Sequence, residues 1–507
     1  MPDAVVVGSG PNGLVAANKL ADEGWDVVVL EAAEEPGGAV KSAELIEPGF
    51  VNDVFSAFYP LAAASSAVES LQLERWGLRW RHAPLVLAHP ARDGTCPVVS
   101  RDLDETAESL DGAAPGDGAA WRRLFELWAR VGGPFLDALL HPFPPVRGTL
   151  RLLGRLRPSE VTRFARFTLL PVRRLGEEEF DSPAAHRLLG GCALHADLFP
   201  EAPLSGLFGW LLACLGQEVG WPVPEGGAGQ LSRAMMRRLE ASGAKVLCGS
   251  PVASVVVRGG RAVAVRLEDG TEVDARRAVV ADVDAPQLYT RLVDPEHLPR
   301  RVLDDMRRFQ WDNPTVKVDW TLDAPIPWTA EPARRAGTVH VADTLDHLTD
   351  ASAALATRRV PDVPFLVVGQ QSMTDPTRQP PGKETAWAYT HVPPVEVDAE
   401  RVADCMEEEI EALAPGFRGL VRGRHVLSPA GLQRRNRNLA GGATNGGTAQ
   451  LHQQLVFRPT PGLARAETPV TGLYLGSSSA HPGGGVHGAC GANAARAALW
   501  GAKLPRR

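Results

Sequence analysis

Apolar residues along this chain fall into three patterns, and each predicts a different element. Ala4 to Val7 and Val27 to Leu30 are short unbroken runs, the mark of parallel strands buried on both faces. Between them Leu14, Ala17, Leu20 and Ala21 recur at helical spacing, and Gly24 stands where a helix ends. The result is a βαβ unit. A helix over residues 231–242 precedes strands at 245–247, 252–258, 261–267, 272–274 and 278–281, with Gly259-Gly260 and Asp269-Gly270 as hairpin turns. Residues 76–99, 314–322 and 385–393 read as strands. In the second of these Val316, Val318, Trp320 and Leu322 form an apolar face, and the alternation puts Lys317 on the polar face, off the core. Helices are predicted over 102–129 (Trp121, Leu124, Phe125 and Trp128 sharing a face), over 188–220, and over 400–413 as an acidic surface helix. Near the end, Leu473 to Leu475 is a strand closed by Gly476, and Val486 opens a long alanine-rich helix.

A chain of 507 residues is too long for one ordinary core. The pattern predicts an α/β protein of two intertwined domains. Residues 1–65, 221–290 and 425–507 would form a Rossmann-type nucleotide domain, a parallel sheet plus a small antiparallel one. Residues 66–220 and 291–424 would form an α+β substrate-binding domain, a cap. A net charge of −7 gives no footprint for nucleic acid. The six cysteines are widely spread without a C-x-x-C, which removes a redox dithiol of the usual spacing and a zinc cluster, and suits a reducing cytosol. A nucleotide motif from residue 4 leaves no room for a signal peptide, so a cytoplasmic location is expected. The stretch 204–215 falls short of the roughly 20 residues a bilayer span needs. Residues 134–174 interleave Leu150, Leu153, Phe164, Phe167, Leu169 and Leu170 with Arg147, Arg151, Arg155, Arg157, Arg163, Arg166, Arg173 and Arg174. Such a stretch is either a peripheral contact with an anionic membrane, a lid over an apolar tunnel, or helices packed on the core with solvated arginines.

The chemistry concentrates at the two ends. Gly8-Ser9-Gly10-Pro11-Asn12-Gly13 fits G-x-G-x-x-G between strand and helix. Gly8 permits the turn, Gly10 lets the backbone approach a pyrophosphate, Gly13 lets helix and strand pack closely, and the helix start adds about half a positive charge. Glu31, ending the second strand, stands where an acid accepts a ribose hydroxyl and argues against a 2′-phosphate.

The longer pattern L-E-A-x-x-x-P-G-G, Leu30 to Gly38, resembles the FAD signature of the amine oxidase and phytoene desaturase flavoproteins. Thr471 to Gly488, T-G-L-Y-L-x-x-x-x-x-H-P-G-G-G-V-x-G, resembles the carboxy-terminal FAD signature of phytoene desaturase-like proteins, above all the pyridine nucleotide-disulphide oxidoreductase domain protein 2 subfamily. The resemblance implies FAD as cofactor. It places Gly8, Gly10, Pro11, Gly13, Glu31, Ala32, Gly37, Gly38 and Ala39 at the dinucleotide and Val252 at the adenine, with Asp282 nearby. It places Gly476, Gly484, Gly485 and Val486 at the flavin end. His481, in H-P-G-G-G, is the candidate catalytic residue beside the isoalloxazine; the other reading is a backbone-bonding scaffold. His487 would face the substrate cavity. Lys317 is a candidate for the lysine that holds a water at flavin N5 in amine oxidase relatives, the other reading being a solvent-facing or ion-paired lysine. Asp53 is either a polar group near the ring or a cap of the next helix. One departure is that Glu35-Pro36 and Ala39-Val40 stand where relatives carry arginines around the glycine pair. Gly483 to Gly488 also spells G-x-G-x-x-G, but no strand runs into it and no acid follows, so no separate nicotinamide site is predicted. The implied activity is hydride transfer from a C–H of a mostly apolar, polyene or lipid-like small molecule, with reoxidation by oxygen or quinone. Amine or amino-acid oxidation, redox-neutral isomerisation and non-catalytic prenyl binding are the alternatives on the same fold.

Overall fold

The computed structural model describes residues 1–503. Five parallel strands form its nucleotide-type sheet, in the order Leu473–Leu475, Ala278–Ala281, Ala4–Val7, Val27–Leu30, Lys245–Leu247. The first four are fully buried, as unbroken apolar runs require. Val5 faces Val28 on one side and Val279 on the other, so the first strand lies at the centre and its carboxyl end feeds the glycine turn. The first helix, Pro11–Asp22, packs against both Gly229–Ala241 and the last helix, Ala489–Gly501. A three-stranded antiparallel sheet, Val252–Arg258, Arg261–Leu267 and Glu272–Asp274, covers the other face. Gly259 and Gly260 turn its hairpin with φ of 57° and 72°, a backbone that L side chains resist.

The second sheet has seven strands, ordered Val421–Leu427, Thr315–Leu322, Glu384–His391, Leu366–Gly369, Ala336–Val341, Leu85–Ala88, Val98–Val99. Its first strand runs across the boundary drawn at 424/425. Val316, Val318, Trp320, Leu322, Ala386 and Ala388 pack on one face, beneath the helix Ala399–Leu413. Thr315, Lys317, Asp319 and Thr321 occupy the other face, and they are buried too. This corrects the expectation that polar alternation leaves a strand face off the core: the polar face here is buried, and its Thr315 and Lys317 line a cavity.

Three predicted helices have different bounds. The first is two helices, Leu103–Asp111 and Asp117–Leu140, divided around Gly116 with φ of 103°. The stretch 188–220 is also two, Pro183–Leu194 and Ser205–Glu218, divided by a turn in which Asp197 and Leu204 take positive φ. The last helix begins at Ala489, three residues later than read, because Gly485 and Gly488 both have positive φ. Trp121, Leu124 and Trp128 are buried as expected, with Trp128 edge-on to Trp210 at 5.2 Å.

Candidate active site

One continuous cavity of about 570 Å³ runs from the glycine turn to the polar face of the seven-stranded sheet. Gly8, Gly10, Pro11, Glu31, Ala32, Gly38, Ala39, Val252, Asp282, Gly485 and Val486 line it. Gly13, Gly37, Gly476 and Gly484 do not, and each supports the lining from behind. A β-carbon on Gly13 would strike the Gly8 carbonyl, so this glycine sets the helix against the strand. The Gly37 N–H donates to the Ser9 carbonyl at 3.0 Å, with φ of 117°. Gly476 lies against Ala494 of the last helix, and Gly484 against the backbone of Asn445. Gly38 approaches Gly10 so closely that a β-carbon would come within 2.8 Å of its Cα.

Glu31 is held for a purpose visible in its bonds. Its Oε2 accepts from the Ser9 N–H at 2.9 Å and the Ser9 hydroxyl at 2.5 Å, and its Oε1 accepts from the Ala33 N–H at 2.9 Å. A carboxylate offers about four lone-pair directions, so capacity remains for a hydroxyl in the cavity. Asp282 supplies what the first helix lacks. The N-cap is Gly10, with no side chain to offer, and the Asp282 carboxylate instead accepts the Gly13 N–H at 2.8 Å. Burial pushes the Asp282 carboxyl well above its ordinary range.

Sequence reasoning missed the wall that closes this half of the cavity. Residues 434–439 and 444–446 line it. Two buried charges hold the second stretch in place. Asp312 accepts the N–H groups of Thr444, Asn445 and Gly447 at 2.7, 2.8 and 3.0 Å. The Arg458 guanidinium donates to the carbonyls of Asn445, Gly446, Thr448 and Ser478 at 2.8 to 3.0 Å. Burial lowers Arg458 to about 10, still a cation at neutral pH. Asn438 ties the first stretch down, donating to the Asp282 carbonyl at 2.9 Å.

At the far end Phe55, Ser56, Phe58, His195, Thr315, Lys317 and Tyr389 meet. The Lys317 ammonium donates to Asp319 at 2.5 Å and to the Asp53 carbonyl at 2.9 Å. It is ion-paired yet buried and faces the cavity, so the solvent-facing reading is corrected. Burial raises Asp319 to about 6, although Lys317 pulls against that shift. Asp53 neither caps the next helix nor lines the cavity. Its carboxylate accepts from Arg378, Ser42 and the Ala228 N–H.

Both histidines of the carboxy-terminal motif sit behind the lining, which corrects their expected positions. His481 bonds through Nε2 to the His141 carbonyl at 2.9 Å and lies edge-on to Phe143. His487 caps the last helix, its Nδ1 accepting the Ala489 N–H at 3.0 Å. Burial lowers His487 to about 4, so the unfolded chain takes up its proton first as pH falls. The stability held by neutral His487 is complete above the unfolded pKa near 6.5 and drains away down to about 4. His487→Asn keeps an acceptor for Ala489 and removes the titration. Denaturant melts should therefore find the variant near wild type at neutral pH and gaining on it by about 2 kcal/mol at about pH 5.

A sequence profile for flavin-containing amine oxidoreductases matches residues 12–499. The chain belongs to that family. It is 30% identical to the pyridine nucleotide-disulfide oxidoreductase domain-containing protein 2 of Mus musculus, over 97% of this chain and 92% of the relative. It is 27% identical to the all-trans-zeta-carotene desaturase of Myxococcus xanthus, over 95% and 90%. An oxidoreductase from Methanosarcina mazei has the same fold, with a TM-score of 0.63, 15% identity and coverage of 98% and 99%. This family member is an FAD-dependent oxidoreductase. The cavity fits that cofactor on its own evidence. The close approach of Gly10 and Gly38 leaves a side-chain-free cradle at the helix start, Glu31 keeps acceptor capacity, and the cavity continues past Val486 to a separate wall.

Proposed function

We propose that this flavoprotein dehydrogenates a mostly apolar small molecule, removing a hydride from a C–H to leave a double bond. The continuity of the cavity from the glycine cradle to the wall of Phe55, Phe58 and Tyr389 carries this reading. In it Gly8, Gly10, Pro11, Ala32, Gly38 and Ala39 give backbone access to the dinucleotide, Glu31 accepts a ribose hydroxyl, and Val252 borders the adenine. Gly485 and Val486 border the ring. FAD supplies the two-electron acceptor when bound. The chain's own residues orient the substrate and exclude water, which is what hydride transfer asks of a site. Lys317, fixed by Asp319 and the Asp53 carbonyl, presents a charged donor that would hold a water in the cavity. His481 acts as a scaffold for the glycine loop. The relative named as a zeta-carotene desaturase supports a dehydrogenation, and the single tyrosine on the wall gives an amine oxidase's aromatic cage little to build on. Purified protein should show the visible absorption of bound flavin, and mostly apolar isoprenoid compounds should bleach it anaerobically. Bleaching by amines alone would move the assignment to amine oxidation, and a colourless protein that ignores added FAD would end it.

We further propose that residues 146–169 rest on an anionic lipid surface. No helix among the described residues is long and apolar enough to cross a membrane. The helices Val146–Leu153 and Pro158–Leu169 nonetheless expose Val146 by 57%, Leu150 by 64%, Leu153 by 42% and Leu169 by 53%. Arg151 and Arg166 pair with Asp137 and Glu178, whereas Arg147, Arg155 and Arg163 make no ion pair among the described residues. Exposed leucines beside unspent arginines suit an interface of apolar chains and anionic headgroups. Sedimentation with phosphatidylglycerol-containing vesicles should be salt-sensitive, and Leu150→Glu with Leu153→Glu should weaken it by at least ~10-fold. Equal sedimentation of the variant would reject the surface.

A further inference from the structure

The far end of the cavity carries polar atoms that a purely hydrocarbon substrate would leave unmatched. His195 lines the cavity, and its Nε2 lies 2.7 Å from the Nε2 of His340. Two imidazole nitrogens at that distance share one proton, so one ring donates and the other accepts. His340 decides which. Its other nitrogen, Nδ1, is buried without a partner and pressed against Gly191, where even a β-carbon would collide with it. A proton on that nitrogen would be an orphaned buried donor, which costs more than an unused lone pair. His340 therefore carries its proton on Nε2 and donates to His195. Both rings stay neutral at physiological pH, because burial lowers His195 to about 3 and His340 well below its ordinary value. The neutral His195, having accepted at Nε2, must hold its own proton on Nδ1. That N–H has no protein acceptor among the described residues. Further polar groups line the same cavity. Tyr389 lines the cavity directly across the strand pair from Lys317, and its hydroxyl makes no hydrogen bond among the described residues. Thr315, on the same face, contributes a hydroxyl at 3.4 Å from His391.

We propose that this end is a hydrogen-bonding pole for an oxygen acceptor on the substrate, with His195 Nδ1–H as the donor and the Tyr389 hydroxyl a second polar group lining the same cavity. The substrate class is then an oxygenated terpenoid or lipid, an enone, aldehyde or alcohol, whose apolar body lies along Phe55 and Phe58. This inference rests on the flavin-site reading above and narrows its substrate.

Two measurements on the FAD-loaded full chain test it. The first needs no ligand. Long-range proton–nitrogen correlation spectra of histidine-labelled protein, assigned with His195→Phe and His340→Phe, should place the His195 proton on Nδ1 and the His340 proton on Nε2. A His195 proton on Nε2 would overturn the proposal. The second titrates carvone against limonene, the same carbon skeleton with and without a carbonyl, and reads the perturbation of the flavin absorption. Carvone should bind at least ~10-fold more tightly, the size of one matched buried donor. His195→Phe should erase that preference, and Tyr389→Phe should reduce it. Equal binding of the two probes, or binding of neither, overturns the pole. Loss of the flavin absorption itself, by contrast, would count against the cofactor reading and not against this one.

Discussion

Replacing Gly491 by alanine should cost the protein its cofactor and much of its stability. Gly491 lies in the last helix where it crosses the start of the first. A β-carbon there would overlap the carbonyl oxygen of Asn12 and sit 2.6 Å from its carbonyl carbon. Both obstacles are backbone, so no side-chain rotation relieves them. The two helices must part by roughly an ångström, and overpacking of this kind costs about 1–3 kcal/mol or more. The part of the first helix that moves is its first turn, where Pro11 and Asn12 line the cradle and Gly13 backs it. FAD affinity should fall by at least ~100-fold, since misplacing a binding group by about an ångström is that expensive. Thermal melts and fluorescence titration with FAD read the two effects separately. Gly133→Ala is the control for packing, because apart from its chain neighbours and its own helix nothing lies within 4 Å of a β-carbon there in the helix Asp117–Leu140. That variant should keep its FAD affinity and change stability by no more than about 1 kcal/mol, since the gain from replacing glycine is offset by the following Pro134.

Gly491 itself was not singled out in the sequence, and the reason separates what could be read from what could not. Gly8, Gly10, Gly13 and Glu31 were legible because their task is local. A turn, a helix start and the end of the next strand lie within 24 residues, so spacing alone specifies their geometry. The strand pattern was equally legible, because unbroken apolar runs have few alternatives in a buried parallel sheet. Asp312 and Arg458 act on a loop that only the fold brings to them, with Asp312 more than 130 residues before the amides it accepts. The available signal was indirect: a run such as Gly441 to Thr448, rich in glycine, must satisfy its exposed peptide groups somewhere. Lys317 shows a different failure. Alternation correctly separated its two strand faces, but polar does not mean solvent-facing where a sheet roofs a cofactor cavity. His481 and His487 were placed by motif alone, and a motif fixes the path of the glycine loop without fixing which way each side chain turns.

Arg378→Leu should produce the largest loss of stability among single buried charges, and the loss should shrink as pH falls. The guanidinium is fully buried and pairs with Asp53 at 2.5 Å and Asp375 at 3.2 Å. Through them it joins three distant segments, because Asp53 accepts the Ala228 N–H and Asp375 accepts the Gly226 N–H. Leucine replaces the volume but leaves two buried carboxylates without a counter-charge, a change worth about 3–5 kcal/mol. The sign of the pH effect follows from Asp375. Burial pushes its carboxyl up, but hydrogen bonds from Thr377 and Gly226 and the charge of Arg378 outweigh burial and hold it below the usual range. In the wild type this contribution is present above the unfolded pKa and is lost as pH falls through the lower folded one. Without Arg378 one of the forces holding that carboxyl down is gone, so the folded variant takes up its proton at a higher pH than the folded wild type and loses less stability over the same fall. The gap between the two proteins should therefore narrow as pH falls into and below the ordinary carboxylate range, near about pH 4, in denaturant melts. Adding Asp53→Asn to Arg378→Leu should recover part of the loss at neutral pH, since the pair is coupled and the second change removes one stranded charge. A gap that stays constant with pH would mean that Arg378 acts by packing alone. The same hub reaches the active site, for the Asp53 carbonyl accepts from Lys317 at 2.9 Å. A segment loosened at Asp53 releases one of the two bonds that aim the lysine into the cavity, so whatever turnover the variant retains should fall further than its folded fraction does.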